Sequence, residues 1–178
     1  RQGDTLLLII NGTSDTLRVE NYFQNDATSP YRVEQIKFAD GTIWNAATLN
    51  AMLLVGTNEN DSIYGYETNE TLSGLAGQDY IYGDAGNDTF LIADDTGGET
   101  VVGGIGTDTL NYSGSVARGI NVQFNTTGGG NHTFSGLGTA GTFSGIEAVI
   151  GTAFGDTVNA TFDFGTGVSI TGGAGNDV

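Results

Sequence analysis

The sequence predicts a mainly β protein in which a small α+β module precedes short parallel strands wound into a flattened coil. Three observations carry this. From Gly56 the chain repeats every nine residues, with an acid in the sixth place and an apolar residue in the eighth. Of the 30 glycines only Gly3, Gly12 and Gly41 precede Val55, so turn-forming capacity lies almost wholly in the later part. Residues 1–55, in contrast, show ordinary strand alternation, a hairpin signal and a helix cap.

The first module, residues 1–55, is read element by element. "TLLLII" is a buried strand, and "TLRVENYF" alternates Leu17 and Val19 with Arg18 and Glu20 as a half-buried strand does. "VEQIKFADGTIW" brings Val33, Ile36 and Phe38 up to an Asp40-Gly41 hairpin turn. "NAATLNAML" begins on Asn45, a good helix cap, and Trp44 is expected to pack under that helix.

The repeat occupies residues 56–111, written in nines as GTNENDSIY, GYETNETLS, GLAGQDYIY and GDAGNDTFL, then an irregular IADDTGGETVV, then GGIGTDTLN. The sixth column holds Asp61, Glu70, Asp79, Asp88, Glu99 and Asp108; the eighth holds Ile63, Leu72, Ile81, Phe90, Val101 and Leu110. Residues 112–142 lose the register and read as an irregular β insertion, with a strand at "GINVQF" and a loop through "NTTGGGNHTFSGLGTAG". Residues 143–178 resume it, with Glu147, Asp156 and Asp177 in the acidic column, Val149 and Val158 in the apolar one, and Val168 where an acid would stand.

A three-residue strand buries one side chain, which cannot offset its ordering entropy. Stacked in parallel about 4.8 Å apart, such strands form a continuous apolar ladder. Two nonapeptides make one coil, so Asp61 stacks beneath Asp79 on one edge and Glu70 beneath Asp88 on the other. Stacked carboxylates repel, and a hard divalent cation relieves this: Ca2+ takes six or more oxygens from carboxylates and carbonyls, whereas Mg2+ demands a tight octahedron. Glycine lets the turn direct its carbonyls inward.

"GGIGTDTLN" and "GGAGNDV" fit the pattern GGxGxDxUx, and "GLAGQDYIY" and "GDAGNDTFL" miss only its second Gly. The chain thus resembles the RTX, or haemolysin-type calcium-binding, repeat proteins. "NYF" and "VEQIKFADGTIW" resemble the haemolysin-type calcium-binding-related module found beside such repeats. The resemblance implies a right-handed parallel β-roll of RTX type with calcium between successive turns of each edge. Carbonyls of the lower turn's second and fourth residues, those of the upper turn's first and third, and both acids would hold each ion. Thr57, Glu59 and Asp61 would face Gly74, Ala76 and Asp79; Tyr66, Thr68 and Glu70 would face Gly83, Ala85 and Asp88. Asp84, Gly86 and Asp88 would face Gly103, Ile105 and Asp108. Leu75, Gly77 and Asp79 would pair with the Glu99 turn, and Thr152, Phe154 and Asp156 with Gly172, Ala174 and Asp177. Glu59 and Thr68 depart from the fourth-position Gly, and Glu70 and Glu99 from Asp. Asp94, Asp95 and Asp163 read as solvated surface charge.

A formal charge of −16 makes nucleic acid a poor partner and cations good ones. No cysteine occurs, no signal peptide is evident, and no apolar run is long enough for a membrane span. The chain stops partway through a repeat and is expected to belong to a larger polypeptide. His132, the single histidine, rules out a two-histidine zinc motif and reads as an exposed loop residue. No GxSxG elbow occurs, and "GLGTAG" has no helix pattern after it. The chain is expected not to be an enzyme. The resemblance implies a secreted or cell-surface bacterial protein exported by type I secretion, folding on calcium outside the cell, as a structural and secretion element of an adhesin, toxin or surface protein. The alternatives are an accessory roll of an extracellular protease, lipase or polysaccharide-modifying enzyme, or glycan binding by residues 112–142.

Overall fold

The computed structural model describes residues 5–9, 14, 16–23, 33–93, 97–126, 128–137, 140–160 and 167–178. Backbone contacts divide the chain into two units, Arg1–Leu53 and Leu54–Val178.

In the first unit β1 (Leu6–Ile9) pairs antiparallel with β2 (Thr16–Val19), and β3 (Gln35–Lys37) with β4 (Ile43–Asn45). The Asp40-Gly41 turn forms as the sequence predicts: Gly41 has φ +91°, and the Thr42 N–H donates to Asp40 Oδ1 at 2.9 Å. Helix α1 (Ala46–Leu53) is capped by Asn45, whose Oδ1 accepts the Thr48 N–H at 2.8 Å. Leu6, Tyr22, Phe23 and Leu49 are buried. Trp44, expected under the helix, sets its ring edge-on to Phe38, with centroids 4.7 Å apart. Ile10, Asp94, Asp95 and Asp163 lie outside the described residues.

The second unit is built from β5 (Ser62–Tyr64), β6 (Thr71–Ser73), β7 (Tyr80–Ala85), β8 (Thr89–Leu91), β9 (Thr100–Ile105) and β10 (Thr109–Asn111), then β11 (Ile120–Thr126), β12 (Gly129–Phe134), β13 (Gly141–Ser144), β14 (Ala148–Ile150), β15 (Thr157–Ala160) and β16 (Ser169–Thr171). Successive repeats go to alternate sheets. One has the order β6-β8-β10-β14-β16 and is parallel throughout; the other runs β5-β7-β9-β13-β12-β11-β15. The register aligns the apolar column rung by rung: Ile63, Ile81, Val101 and Phe143 in one sheet, and Leu72, Phe90, Leu110, Val149 and Ile170 in the other. All but the exposed edge residue Ile170 are buried, and they form one core between the sheets. The protein is thus mainly β with parallel sheets, as the nine-residue period requires.

Residues 112–142 correct the sequence reading. β11 falls close to the expected strand, but the glycine-rich stretch after it is no simple loop. It holds β12, antiparallel to both β11 and β13. β13 lies parallel on β9 and β11 parallel on β15, so β11 and β12 are interposed in one sheet while the other continues without a break. Two added strands widen that sheet by about 10 Å. The glycines here serve close approach: a Cβ on Gly130 would sit 2.0 Å from the Gln123 carbonyl oxygen. His132 and Phe134 alternate inward, so His132 is buried rather than exposed on a loop.

Candidate metal centres

Each acid of the sixth column ends a glycine turn and precedes its strand, and parallel pairing stacks these acids along two edges. A carboxylate relay joins them. The Asp61 N–H donates to Asp79 Oδ1, Glu70 N–H to Asp88 Oδ1, and Asp88 N–H to Asp108 Oδ1, each at 2.9 Å. Asp156 N–H reaches Asp177 Oδ1 at 3.1 Å. Asp79, Asp88, Asp108 and Asp177 thus each reach one level down with one oxygen.

The second oxygen turns inward. A Cβ on Gly74 would lie 2.0 Å from Asp79 Oδ2, on Gly83 2.4 Å from Asp88 Oδ2, and on Gly103 2.6 Å from Asp108 Oδ2. The first glycine of the repeat therefore leaves room for the folded-back carboxylate. Asp88 Oδ2 and Asp108 Oδ2 are buried and accept no hydrogen bond. Burial lifts the Asp88 carboxyl to about 6, with the Glu70 and Asp108 charges adding to it; Asp108 is raised by burial, with Glu147 adding. A buried carboxylate oxygen without a donor is costly unless a cation meets it.

Carbonyls converge on the same gaps. Those of Asp84 and Gly86 press on Gly104 and Gly106 of the turn above, those of Glu59 and Thr68 on Gly77 and Gly86, and that of Thr152 on Gly173. From above, the Gly74, Gly83, Gly103 and Gly172 carbonyls press on Gly56, Gly65, Gly83 and Gly151. The donor set is all oxygen, which suits Ca2+. No group of three or more His, Cys, Asp or Glu side chains able to hold a metal occurs among the described residues, so these sites lean on main-chain oxygen.

Several expected ligand residues also make hydrogen bonds of their own. Thr57 and Thr152 use their N–H groups on the carboxylate of their own turn, donating to Asp61 Oδ2 at 2.6 Å and Asp156 Oδ2 at 2.7 Å. Glu70 folds back onto the Tyr66 N–H and the Thr68 hydroxyl. The Tyr66 carbonyl accepts the Ala85 N–H, and the Ile105 carbonyl the Gly86 N–H. Glu99 is buried beside His132. Leu75, Phe154 and Asp177 are exposed, while Ala76, Gly77 and Ala85 are half-buried and Ala174 is exposed. The second position of the repeat is left-handed, with φ 67° at Leu75 and 79° at Asp84, which explains why the repeat pattern prefers glycine there.

Two features escaped the sequence reading. Glu147 completes the Asp108 gap, its Oε2 accepting the Asp108 N–H at 2.9 Å; its column position could have shown this. An asparagine ladder runs beside the acids: Asn60 Oδ1 accepts the Gln78 N–H, Asn69 the Asn87 N–H and Asn87 the Thr107 N–H. The recurring fifth-place Asn was its signal.

Fold and turn chemistry together define a parallel-strand repeat protein whose turns present oxygen cages to a hard cation. Comparison with known families agrees. Residues 6–48 match the haemolysin-type calcium binding protein related domain, and residues 53–69, 64–91 and 168–178 match the RTX calcium-binding nonapeptide repeat. The chain thus carries RTX nonapeptide repeats, and such repeats bind Ca2+. Over 77 residues it is 34% identical to the iron-regulated protein FrpA of Neisseria meningitidis serogroup C; the match covers 43% of this chain and 7% of that protein. No helix among the described residues is long and apolar enough to cross a membrane.

Proposed function

We propose that Leu54–Val178 is a right-handed β-roll that folds on calcium and serves as a structural and secretion element of a larger secreted adhesin, toxin or surface protein. Ions sit in the gaps closed by Asp79, Asp88 and Asp108, with Glu147 closing the Asp108 turn from above. Asp61 and the Asp156–Asp177 pair form weaker sites, because Thr57 and Thr152 already satisfy one carboxylate oxygen there. The observation that carries this reading is the pair of buried, donorless oxygens, Asp88 Oδ2 and Asp108 Oδ2.

Linkage supplies the mechanism. A site with a dissociation constant of about 10⁻⁴ to 10⁻³ M is empty in a low-calcium cytoplasm and filled at millimolar calcium outside. At ten times the dissociation constant each site adds about 1.4 kcal/mol, so four add about 6, comparable to the stability of a small domain. An unfolded chain inside the cell suits type I export.

The test is a far-ultraviolet circular dichroism titration of the whole chain. A weak β signal in EGTA that grows cooperatively with Ca2+, and not with equimolar Mg2+, is expected. Full β signal in excess EGTA would falsify the proposal.

A further inference from the structure

In a chain of formal charge −16, strands β5 to β16 are almost free of charge. Among the described residues Asp84, at the turn end of β7, is the one Asp, Glu, Lys or Arg that they contain. The carboxylates occupy the turns along the two edges instead. What the strands present to solvent differs between the sheets. The outward positions of the five-stranded sheet are Thr, Ser, Asn, Ala and aliphatic residues, with no aromatic ring among the described residues. In the seven-stranded sheet, pairing sets Tyr80, Thr100, Thr142, Asn131, Gln123 and Asn159 in one row across β7, β9, β13, β12, β11 and β15. None of the six is buried, and at about 4.8 Å per strand the row runs about 24 Å.

One end of the row is aromatic. Tyr64 on β5 and Tyr82 on β7 are cross-strand partners, and the Tyr64 ring lies 6.1 Å from that of Tyr80 and 6.4 Å from that of Tyr82. Tyr64 is 43% and Tyr80 38% exposed. The Tyr82 hydroxyl donates to Asp84 Oδ1 at 3.5 Å. The other end of the row is amide and hydroxyl, and the β11–β12 insertion supplies much of it. Interposing those strands adds Asn131 and Gln123 to the row and adds no strand to the opposite sheet.

We propose that this face binds a neutral, extended glycan chain of β-linked hexoses, the tyrosines stacking on one sugar ring and the row hydrogen-bonding to the hydroxyls of its neighbours. Tyrosine offers an apolar ring face with a polar tip. Asn, Gln and Thr each present donor and acceptor atoms, which match sugar hydroxyls. Charge argues against other polymers. The acid columns on either side repel polyanions, and Arg118 is the only Lys or Arg of Leu54–Val178, so nucleic acid and acidic polysaccharides find no counter-charge. A basic protein would pair with the acid columns rather than with the uncharged row between them. The inference goes beyond calcium-driven folding and requires only that the sheet be formed.

The test uses the whole chain in saturating Ca2+, with circular dichroism recorded on the same sample, so that failure to fold is told apart from failure to bind. Cellohexaose and mannohexaose are titrated calorimetrically, with oligogalacturonate as the anionic control. Binding of at least one neutral hexamer, and none of the control, is expected. Tyr64→Ala/Tyr80→Ala should weaken that binding at least about tenfold and keep the calcium-loaded spectrum. Asn131→Ala, at an exposed position of the row, should weaken it about three- to tenfold. No binding of either neutral hexamer at millimolar concentration, binding of the control as tight as theirs, or an affinity unchanged in the variants overturns the proposal. Should the tyrosine variant fail to fold, Asn131→Ala decides.

Discussion

Replacing Asp88 by Asn separates the two jobs of the sixth-column acid. The amide oxygen can still accept the Glu70 N–H that Asp88 Oδ1 takes at 2.9 Å, so the relay survives. The charge does not survive, and its loss acts with opposite signs in the absence and presence of calcium. A carboxyl lifted from 3.8 to about 6 disfavours the folded, ionised form by about 3 kcal/mol at neutral pH, reduced to about 1–2 by solvent screening at a turn edge. Without calcium the Asn variant is therefore more stable than the parent by that amount. With calcium it forfeits the two gaps that Asp88 joins, to Glu70 below and Asp108 above, worth about 3 kcal/mol together at ten times the dissociation constant. The net result in calcium is a loss of about 1–2 kcal/mol. Urea unfolding of the whole chain at a series of free calcium concentrations measures both effects. The slope of unfolding free energy against ln[Ca2+] counts the ions released, and it should fall by one to two. If Asp88→Asn lowers stability equally at every calcium concentration and leaves the slope unchanged, Asp88 is only a hydrogen-bond acceptor and the cage argument fails.

Further outcomes follow from single contacts. Gly86→Ala places a Cβ 2.1 Å from the Thr68 carbonyl oxygen at φ +126°, and should lower the urea-measured stability by at least about 3 kcal/mol. Leu75→Gly relieves a left-handed backbone at an exposed residue and should raise thermal stability by up to about 1 kcal/mol. Asn87→Ala removes the acceptor of the Thr107 N–H and should cost about 1 kcal/mol in urea while leaving the calcium slope intact. For pH the sign is set by Asp88, whose carboxyl is raised on folding to about 6. Its protonated form is favoured in the calcium-free fold, so acidification through about 6 stabilises that fold and weakens calcium. Calorimetry should show affinity falling below that point; affinity constant down to about pH 4.5 would contradict it.

The sheets, their parallel sense and the alternation of edges were legible because each rung repeats one rule at nine residues. Six acids and six apolar residues in step leave little freedom of register. The hairpin at Asp40-Gly41 and the Asn45 cap were legible for the same reason: local chemistry decides them. What the sequence hid is non-local. β12 is rich in glycine and polar residues, and only its pairing with both β11 and β13 makes it a strand. His132 reads as a loop residue until Gly141, nine positions away, supplies the vacant space that it fills. At the turns, residue type did not reveal which oxygens were already taken. Thr57 and Thr152 read only as carbonyl donors, and their N–H groups also donate to the carboxylates of their own turns.

Under the proposed calcium-driven folding, the relay gives the stacked turns a need for a cation rather than a tolerance of one. Asp79, Asp88, Asp108 and Asp177 each reach down to the amide of the acid below, and this places one charge per level along each edge. The asparagine ladder performs the same levelling with neutral side chains, at Asn60, Asn69 and Asn87, so register alone does not demand carboxylates. An amide in the sixth column could also keep the relay. Carboxylates instead leave a second oxygen, at Asp88 and Asp108, buried against the first glycine of the turn with no donor. On the proposed reading such an arrangement opposes folding until a cation enters, so that stability becomes a function of calcium concentration, and that dependence would distinguish a switchable repeat unit from a permanently folded one.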